Sequence, residues 1–357
     1  MISEITLKPV RNVETVQAIL ILCHWPFPYD SQLDDPSFIY CGMALHIGLQ
    51  IGLHRPEYAY QFSSKQDVLR SSVQIRRTTW IACFVVNQML ATGNGVPAIM
   101  PQDYSLMVSL DHEDTPTYLG RLGHITRLTD TFTAAIAYNA SNMHGLNEPH
   151  ERINLIKLYD REFSNLKLSK LGEMDQKLEI AFLAAQLQLF SFALHDDISS
   201  SADLVEIVQK AESIACKLIQ LISQTDLEFV PFPWSRYVIL AAVILLKILK
   251  SPSASNGDLI NNQISLAHKI FTSITKSDND GNQRSDRLLL LFSVLEDKKK
   301  FPPIHCRLAA SLVYDAVRVS KEYYEEILES IMEQEYQDTP MNAQLIDTLF
   351  QQDIGPQ

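Results

Sequence analysis

One segment decides the fold of this chain: residues 35–56, with the sequence DPSFIYCGMALHIGLQIGLHRP. Asp35 can cap the free amides at the start of a helix, and Pro36 suits the first helical position, where no amide hydrogen is needed. Nearly every later position is apolar, so the segment predicts a helix that is buried on most sides and stops before Pro56.

A polar ridge interrupts this apolar segment. Gly42, His46, Gln50 and His54 are spaced four residues apart, which places them on one side of the predicted helix. Polar groups on a buried helix must form hydrogen bonds, either within the protein or to a ligand. His46 and His54 would lie about 12 Å apart along the helix, too far to bind one metal ion together. The ridge therefore predicts ligand contacts or internal hydrogen bonds, and no metal site.

Two further apolar helices are predicted beside this one. Asn12 is the expected N-cap of the first, which carries an apolar run from Val16 to Cys23. The other is expected to begin near Ser64 and to end at Gly93-Asn94-Gly95. Three packed helices would thus fill the first hundred residues.

Three arginines are candidates for binding an anion. Arg76 and Arg77 lie where the exposed start of the third helix becomes apolar, and Arg236 follows an aromatic, proline-rich turn. A guanidinium group can bind a carboxylate through two parallel hydrogen bonds. The alternative is structural: such arginines also anchor acidic side chains or cap the C-termini of neighbouring helices.

These blocks together resemble the middle regulatory domain of fungal zinc-cluster transcription factors. The resemblance spans residues 12–104, and the matching blocks are Val16-Gln17-Ala18, Gly42-Met43-Ala44, Gly52-Leu53-His54-Arg55, Arg76-Arg77-Thr78-Thr79-Trp80 and Gly95-Val96-Pro97. Within the family, Trp25-Pro26-Phe27-Pro28 and Asp35-Pro36-Ser37 are most similar to regulators of leucine biosynthesis, and the weak-acid stress regulators come second. Family members often carry Asp-Arg and Gly-Arg-Pro where this chain has Asn87-Gln88 and Gly95-Val96-Pro97.

The resemblance implies a nuclear domain that senses a small carboxylate metabolite and controls transcriptional activation. The implied effector is isopropylmalate for a leucine-type regulator and a lipophilic acid such as sorbate for a weak-acid regulator. A ligand-independent domain that dimerises or masks an activation segment is the alternative. Expected partners are the effector, the transcription machinery or an activation segment, and a second copy in a homodimer. The residues chosen for the effector site are His46, Gln50, His54, Arg76, Arg77 and Arg236.

Composition limits the other functions. A formal net charge of −12 argues against direct DNA binding by this sequence, because phosphate contacts need clustered lysines and arginines. Its five cysteines lack the paired spacing of a zinc cluster and are typical of reduced thiols in a cytosolic or nuclear protein. The resemblance therefore implies that DNA is bound by an upstream zinc cluster, and no cofactor is expected here. The longest apolar run, Val238 to Leu246, is too short to span a bilayer, so no membrane partner is expected.

Helical periodicity continues through the remaining sequence. Helices are predicted at Tyr118–His144, Asn147–Leu171, Met174–Leu194, Ala202–Ser223, Val238–Leu249, His305–Gln334 and Asn342–Phe350, and a surface loop at Pro101–Pro116. Strand-like alternation is scarce, so the expected fold is an all-α, multi-helix regulatory domain. We expect one large domain over residues 1–357, with a family-like core at 12–104 and further packed helices at 117–350.

No catalytic pattern is present. The sequence lacks a nucleophile elbow, a phosphate-binding glycine loop and closely spaced metal ligands, so no enzyme is expected. The doublet His195-Asp196 raises the possibility of a metal-dependent hydrolase, but no second aspartate or histidine follows at ligand spacing. We predict instead that a helix ends there and that Ser200 or Ser201 caps the next one.

Overall fold

The fold is built from helices. A computed structural model of the protein describes residues 11–29, 34–195, 198, 201–251, 256–277, 280–294 and 302–335, and within these residues it contains no β-strand. This confirms the all-α prediction. The α-helices are α1 Val13–His24, α2 Ser37–Gln50, α3 Lys65–Arg70, α4 Val73–Asn94, α5 Tyr104–Leu110, α6 Thr117–Ala137, α7 Pro149–Leu166, α8 Gln176–Ser191, α9 Ala202–Ser223, α10 Phe232–Leu249, α11 Gly257–Ile274, α12 Gly281–Val294 and α13 Ser311–Glu335. The helix predicted at Asn342–Phe350 lies outside the described residues.

Capping residues set three helix ends where the sequence predicts them. The Asn12 side chain accepts a hydrogen bond from the Thr15 amide at 2.8 Å and so starts α1. Ser201 does the same for α9 through the Leu204 amide, at 3.2 Å. Gly95 ends α4 in the left-handed conformation, with φ of 62°, which glycine adopts at little cost.

The predicted end of the second helix is wrong. α2 ends at Gln50, and Gly52 then turns the chain with φ of 74°, so His54 lies outside the helix. The Leu53 amide closes this turn by donating to the Gly48 carbonyl at 2.9 Å. A glycine that can adopt positive φ ends the helix before Pro56 is reached. The predicted ridge therefore does not extend to His54.

Other boundaries also differ from the prediction. The third predicted helix is broken into α3 and α4, because Ser72 is extended and its hydroxyl caps α4 by accepting from the Ile75 amide at 3.2 Å. The predicted loop at Pro101–Pro116 contains the seven-residue helix α5. Asp103 caps it through the Leu106 amide at 2.9 Å. A helix of two turns gives too few apolar repeats to be recognised by periodicity.

Buried side chains form two hydrophobic cores. The N-terminal core draws its buried residues from α1, α2, α4, α5 and their connections, between Val13 and Leu110. The C-terminal core draws them from helices α6 to α13, between Ile125 and Ala316. Helix α4 packs against α6 and also contacts α10. The two cores therefore meet along α4, and contacts at its C-terminal end join them.

Helix α10 lies at the centre of the C-terminal core. It begins at Phe232, earlier than the predicted Val238, because Pro233 fits its first turn. Its 18 residues are long and apolar enough to cross a membrane by length and composition, contrary to the expectation from Val238 to Leu246. However, 67% of this segment is buried by other parts of the protein, as in the core helix of a globular domain.

Candidate functional site

The six residues chosen from the sequence lie in separate places, and two of them are exposed. His46 and Gln50 are solvent-exposed residues of α2. The His46 Nδ1 lies 2.7 Å from the Gly42 carbonyl oxygen, one turn earlier in the same helix. Since a carbonyl can only accept, this nitrogen carries the proton and donates it. The internal hydrogen bond of the alternative interpretation is therefore present at His46.

His54 packs between aromatic rings. Its imidazole lies 4.8 Å from the Phe62 ring centroid, in an edge-to-face arrangement, and 6.1 Å from that of Trp80. Burial lowers the pKa of His54 below its usual value, and the neighbouring Arg55 guanidinium lowers it further. The ring is thus held neutral at pH 7 and contributes no positive charge to an anion site.

Arg76 caps the end of α2. Its side chain is buried and donates from Nη1 to the Ile51 carbonyl at 3.1 Å. Ile51 is the C-cap of α2, where carbonyl groups lack helical partners and the helix dipole favours a cation. A crevice beside Arg76 has a volume of about 10 Å³, which is room for about one water molecule.

Arg77 forms ion pairs with two acidic side chains. Its Nη2 lies 2.6 Å from Glu57 Oε1, and its Nη1 lies 3.5 Å from Asp114 Oδ2. The guanidinium is 3% exposed, whereas both carboxylates are about half exposed. Arg77 thereby ties the turn after α2 to the connection between α5 and α6.

Arg236 lies at the other end of α4. It donates from Nη1 to the Asn94 side-chain oxygen at 2.6 Å and from Nη2 to Asp35 Oδ2 at 3.2 Å. Asn94 is eighteen residues beyond Arg76 in one helix, so the two sites are separated by about 27 Å along the axis. One small ligand cannot reach both. The ligand contacts of His46, Gln50, His54, Arg76 and Arg77 stay predictions.

The Arg236–Asp35 pair is well shielded from water. The side chain of Asp35 is 4% exposed and that of Arg236 is 16% exposed. The guanidinium carbon of Arg236 also lies 5.1 Å from the centre of the Phe232 ring, where a cation is attracted by the ring face. Gly93 makes room for it, since a Cβ atom there would lie 2.5 Å from Arg236 Nη1.

Two further arginines lie at the same place and were not chosen from the sequence. Arg307 donates from Nη1 to the Asn94 carbonyl at 3.3 Å, and its guanidinium lies 4.6 Å from the centre of the Tyr314 ring. Arg284 donates from Nη1 to the Tyr29 carbonyl at 3.2 Å. Both are partly buried. No local pattern marks them, because each contacts a residue more than 200 positions away.

Tyr29 connects the members of this site. Its hydroxyl donates to Asp35 Oδ2 at 3.2 Å, and its ring meets Phe232 edge to face at 6.0 Å between centroids. Burial and the adjacent Asp35 carboxylate raise the pKa of the Tyr29 hydroxyl, which keeps it a proton donor. We name the set of six residues the junction cluster: Tyr29, Asp35, Asn94, Arg236, Arg284 and Arg307.

The chemistry of the junction cluster suits carboxylates. The Arg236 guanidinium and the Tyr29 hydroxyl donate to the Asp35 carboxylate, and the rings of Phe232 and Tyr29 provide an apolar wall. Arg284 and Arg307 bring two more guanidinium groups to the backbone carbonyls of Tyr29 and Asn94. The donors come from both sides of the contact between the two cores. A change in what Arg236 binds would therefore act on how the cores are held together.

The other described residues include few side chains that could act as nucleophiles or hold a metal ion. All five cysteines are free thiols, and burial raises the pKa of Cys41 to about 12. Burial, together with the Glu212 carboxylate, raises that of Cys216 to about 11. Thiols with raised pKa values are poor nucleophiles at neutral pH. Within the described ranges, no group of three or more histidine, cysteine or carboxylate side chains is arranged to hold a metal ion.

Comparison with known proteins identifies the region that contains α1 to α5. Residues 2–115 match the fungal specific transcription factor domain. This finding confirms the resemblance to the middle regulatory domain of fungal zinc-cluster transcription factors. No solved structure gives a significant match to the chain.

Similarity to curated proteins extends beyond this transcription factor domain. The putative transcription factor SEF1 of Eremothecium gossypii is 27% identical over 251 residues, which cover 69% of this chain and 24% of the relative. The transcriptional regulatory protein SEF1 of Candida albicans is 26% identical over 337 residues, covering 87% of this chain and 37% of the relative. The regulatory protein LEU3 of Saccharomyces cerevisiae is 27% identical over 225 residues, covering 57% of this chain and 25% of the relative.

The two SEF1 relatives are named as transcriptional regulators and LEU3 as a regulatory protein, and none is named as an enzyme. The chain spans between 24% and 37% of their lengths, so it corresponds to one region of a longer regulator in each comparison. The match to the Candida albicans protein covers 87% of this chain, so it includes parts of both hydrophobic cores. Both cores therefore contribute to the shared region.

Proposed function

We propose that this chain is the effector-binding regulatory domain of a fungal transcription factor, and that it senses a small carboxylate metabolite to control transcriptional activation. The observation that supports the proposal is the Arg236–Asp35 pair, in which a guanidinium group already binds a carboxylate between the two cores. An effector carboxylate has the same charge and geometry as the Asp35 side chain. It can replace Asp35 on Arg236 without leaving the guanidinium unpaired.

This exchange would act as the regulatory step. Asp35 lies two residues before the start of α2 and accepts from the Ser37 amide at 2.9 Å, whereas Arg236 lies in the first turns of α10. Moving the Asp35 carboxylate off Arg236 removes an ion pair between the N-terminal and C-terminal cores. A ligand that binds only one of two arrangements shifts their populations by its difference in affinity. The effector would thereby bias how the two cores are joined.

Isopropylmalate is the effector we propose first. It carries two carboxylates and a branched apolar group, and the junction cluster offers three guanidinium groups beside two aromatic rings. The similarity to the LEU3 protein agrees with the leucine-type block at the start of α2. A lipophilic weak acid such as sorbate is the alternative effector, because it would use one guanidinium group and the same apolar wall.

A ligand-independent role has its own support. Arg236 and Arg307 already donate to internal acceptors, and Arg77 and Arg76 do so at the other end of α4. These bonds would also serve a domain that only dimerises or masks an activation segment. In either case we propose that the full protein acts in the nucleus, contacts the transcription machinery, and binds DNA through a zinc cluster outside this sequence.

The first test is a thermal-shift titration with isopropylmalate, sorbate, acetate and a neutral ester of each acid. A ligand that binds only the folded state stabilises it by about 2.7 kcal/mol at a concentration 100 times its Kd. We expect a saturable rise in the unfolding midpoint with isopropylmalate and none with its ester. A rise with sorbate alone would support the weak-acid alternative, and no rise with any acid would favour the ligand-independent domain.

A further inference from the structure

Three histidines that are distant in the sequence meet on the surface of the C-terminal core. The Nδ1 atoms of His195 and His305 lie 2.9 Å apart, and their ring centroids are separated by 4.9 Å with the planes tilted by 42°. The His144 ring lies 5.4 Å from the His305 ring, centroid to centroid. His195 is buried, His305 is partly buried and His144 is exposed. The group is therefore open to solvent on the side of His144.

The geometry of the His195–His305 contact is close to that of two imidazole ligands on one metal ion. A hydrogen bond between two Nδ1 atoms directs the lone pair of one ring and the N–H bond of the other into the same gap. Two imidazole nitrogens bound to one tetrahedral Zn²⁺ at about 2.0 Å would lie roughly 3.3 Å apart. The observed 2.9 Å differs from this separation by a few tenths of an ångström.

The backbone around both histidines is fixed by long-range bonds. The Ser191 hydroxyl, at the end of α8, donates to the Ala309 carbonyl at 3.1 Å and ties the chain before His195 to the chain after His305. On the other side of His305, the Ile304 amide donates to Asp315 Oδ1 of α13 at 3.2 Å. A preorganised pair of ligands loses little conformational entropy when an ion binds.

His144 is placed to supply a third ligand. It lies in the turn between α6 and α7, where its amide donates to Asn142 Oδ1 at 2.9 Å and Gly145 adopts a φ of 76°. This turn holds the backbone while the exposed ring can rotate about its side-chain bonds. In the present arrangement the described residues show no complete group of three ligands, so binding requires His144 to change rotamer.

We propose that His195 and His305 chelate a divalent transition-metal ion of borderline softness, with Zn²⁺ as its representative, and that His144 closes the site. Imidazole nitrogen is a preferred ligand of such ions. Before an ion binds, one of the two Nδ1 atoms carries the shared proton; when the ion binds, that ring changes tautomer and carries its proton on Nε2. Both rings then bind as neutral ligands through Nδ1, and no proton is released.

The ion would join three separate parts of the C-terminal core. His144 belongs to the α6–α7 turn, His195 follows α8, and His305 precedes α13. His305 lies six residues before α13, so one ion would hold the approach to α13 against the end of α8 and the turn after α6. The site shares no residue with the junction cluster, although His305 lies two residues before Arg307.

The test is calorimetric titration of the whole chain with zinc chloride in a non-chelating buffer at neutral pH. We expect one Zn²⁺ per chain in the wild type, and at least tenfold weaker binding in His305→Gln, which keeps a polar side chain of similar size. His144→Ala should weaken binding by a smaller factor. His268→Gln is the matched control, because His268 is bound to Asp286 in the same core. The affinity of this variant for Zn²⁺ should equal that of the wild type.

A second measurement separates ligand loss from misfolding. The unfolding midpoint of wild type should rise with added Zn²⁺, and that of His305→Gln, verified as folded by circular dichroism, should not. The thiol of Cys306 is exposed next to His305, so Cys306→Ser is included and should retain binding. No stoichiometric binding, equal affinity in wild type and folded His305→Gln, or loss of binding only in Cys306→Ser would each overturn the proposal.

Discussion

Arg236→Ala is expected to lower the free energy of unfolding by about 3–5 kcal/mol, because removing one partner of a buried ion pair leaves an uncompensated charge. The charge left behind is the Asp35 carboxylate, whose side chain is 4% exposed. Hydrogen bonds from Tyr29 and the Ser37 amide remain, but neither supplies a positive charge. Urea denaturation of wild type and variant measures the difference.

Two matched variants separate the effect of charge from that of side-chain loss. Asp35→Asn combined with Arg236→Gln removes both charges, so this double variant should lower the free energy of unfolding less than Arg236→Ala alone does. Arg127→Ala truncates an exposed arginine of α6, and its free energy of unfolding should stay within about 0.5 kcal/mol of that of wild type. If Arg236→Ala lowers the free energy of unfolding by less than about 1 kcal/mol, the Asp35 carboxylate does not need this guanidinium group to compensate its charge.

Gly95→Ala is expected to lower the free energy of unfolding by about 2 kcal/mol or more. Gly95 has φ of 62°, a left-handed conformation that costs an L-residue roughly 1–2 kcal/mol. A Cβ atom at this position would also lie 2.4 Å from the backbone carbonyl oxygen of Arg307, which cannot move aside like a flexible side chain. Because Arg307 belongs to the junction cluster, effector binding should weaken as well. Thermal and urea unfolding give the stability change.

Gly42→Ala is the matched control for this prediction. Gly42 lies inside α2, and a Cβ atom there would meet nothing within 4 Å. Alanine in a helix interior is favoured over glycine by about 0.5–1 kcal/mol, so this variant should be more stable than wild type. Equal free energies of unfolding for Gly95→Ala and Gly42→Ala would contradict the requirement for glycine at the end of α4.

Local features of this fold follow from the sequence. Asn12, Ser201 and Gly95 act at helix ends where their capping chemistry predicts, since a cap contacts residues only a few positions away. The apolar run of α10 likewise indicates a core helix. The end of α2 differs from the prediction because the segment stays apolar up to Pro56, whereas Gly52 turns the chain with positive φ.

The junction cluster could not be predicted from one sequence. The Arg236 bonds to Asn94 and Asp35 join residues 142 and 201 positions apart, and that of Arg307 to Asn94 joins residues 213 apart. Such pairings are set by how the two cores pack and leave no periodic or spaced pattern. Only the aromatic residues before Arg236 mark it in the sequence as a candidate anion-binding residue. His195 and His305, 110 positions apart, were missed for the same reason.

The most direct test of the effector site is calorimetric titration of isopropylmalate into the wild type and two arginine variants. Arg307→Gln removes a guanidinium group from the junction cluster, and Arg77→Gln removes one from the opposite end of α4. We predict binding to wild type, at least tenfold weaker binding to Arg307→Gln, and unchanged binding to Arg77→Gln. Unchanged affinity in Arg307→Gln with lost affinity in Arg77→Gln would place the effector at the start of α4 and contradict the junction as its site.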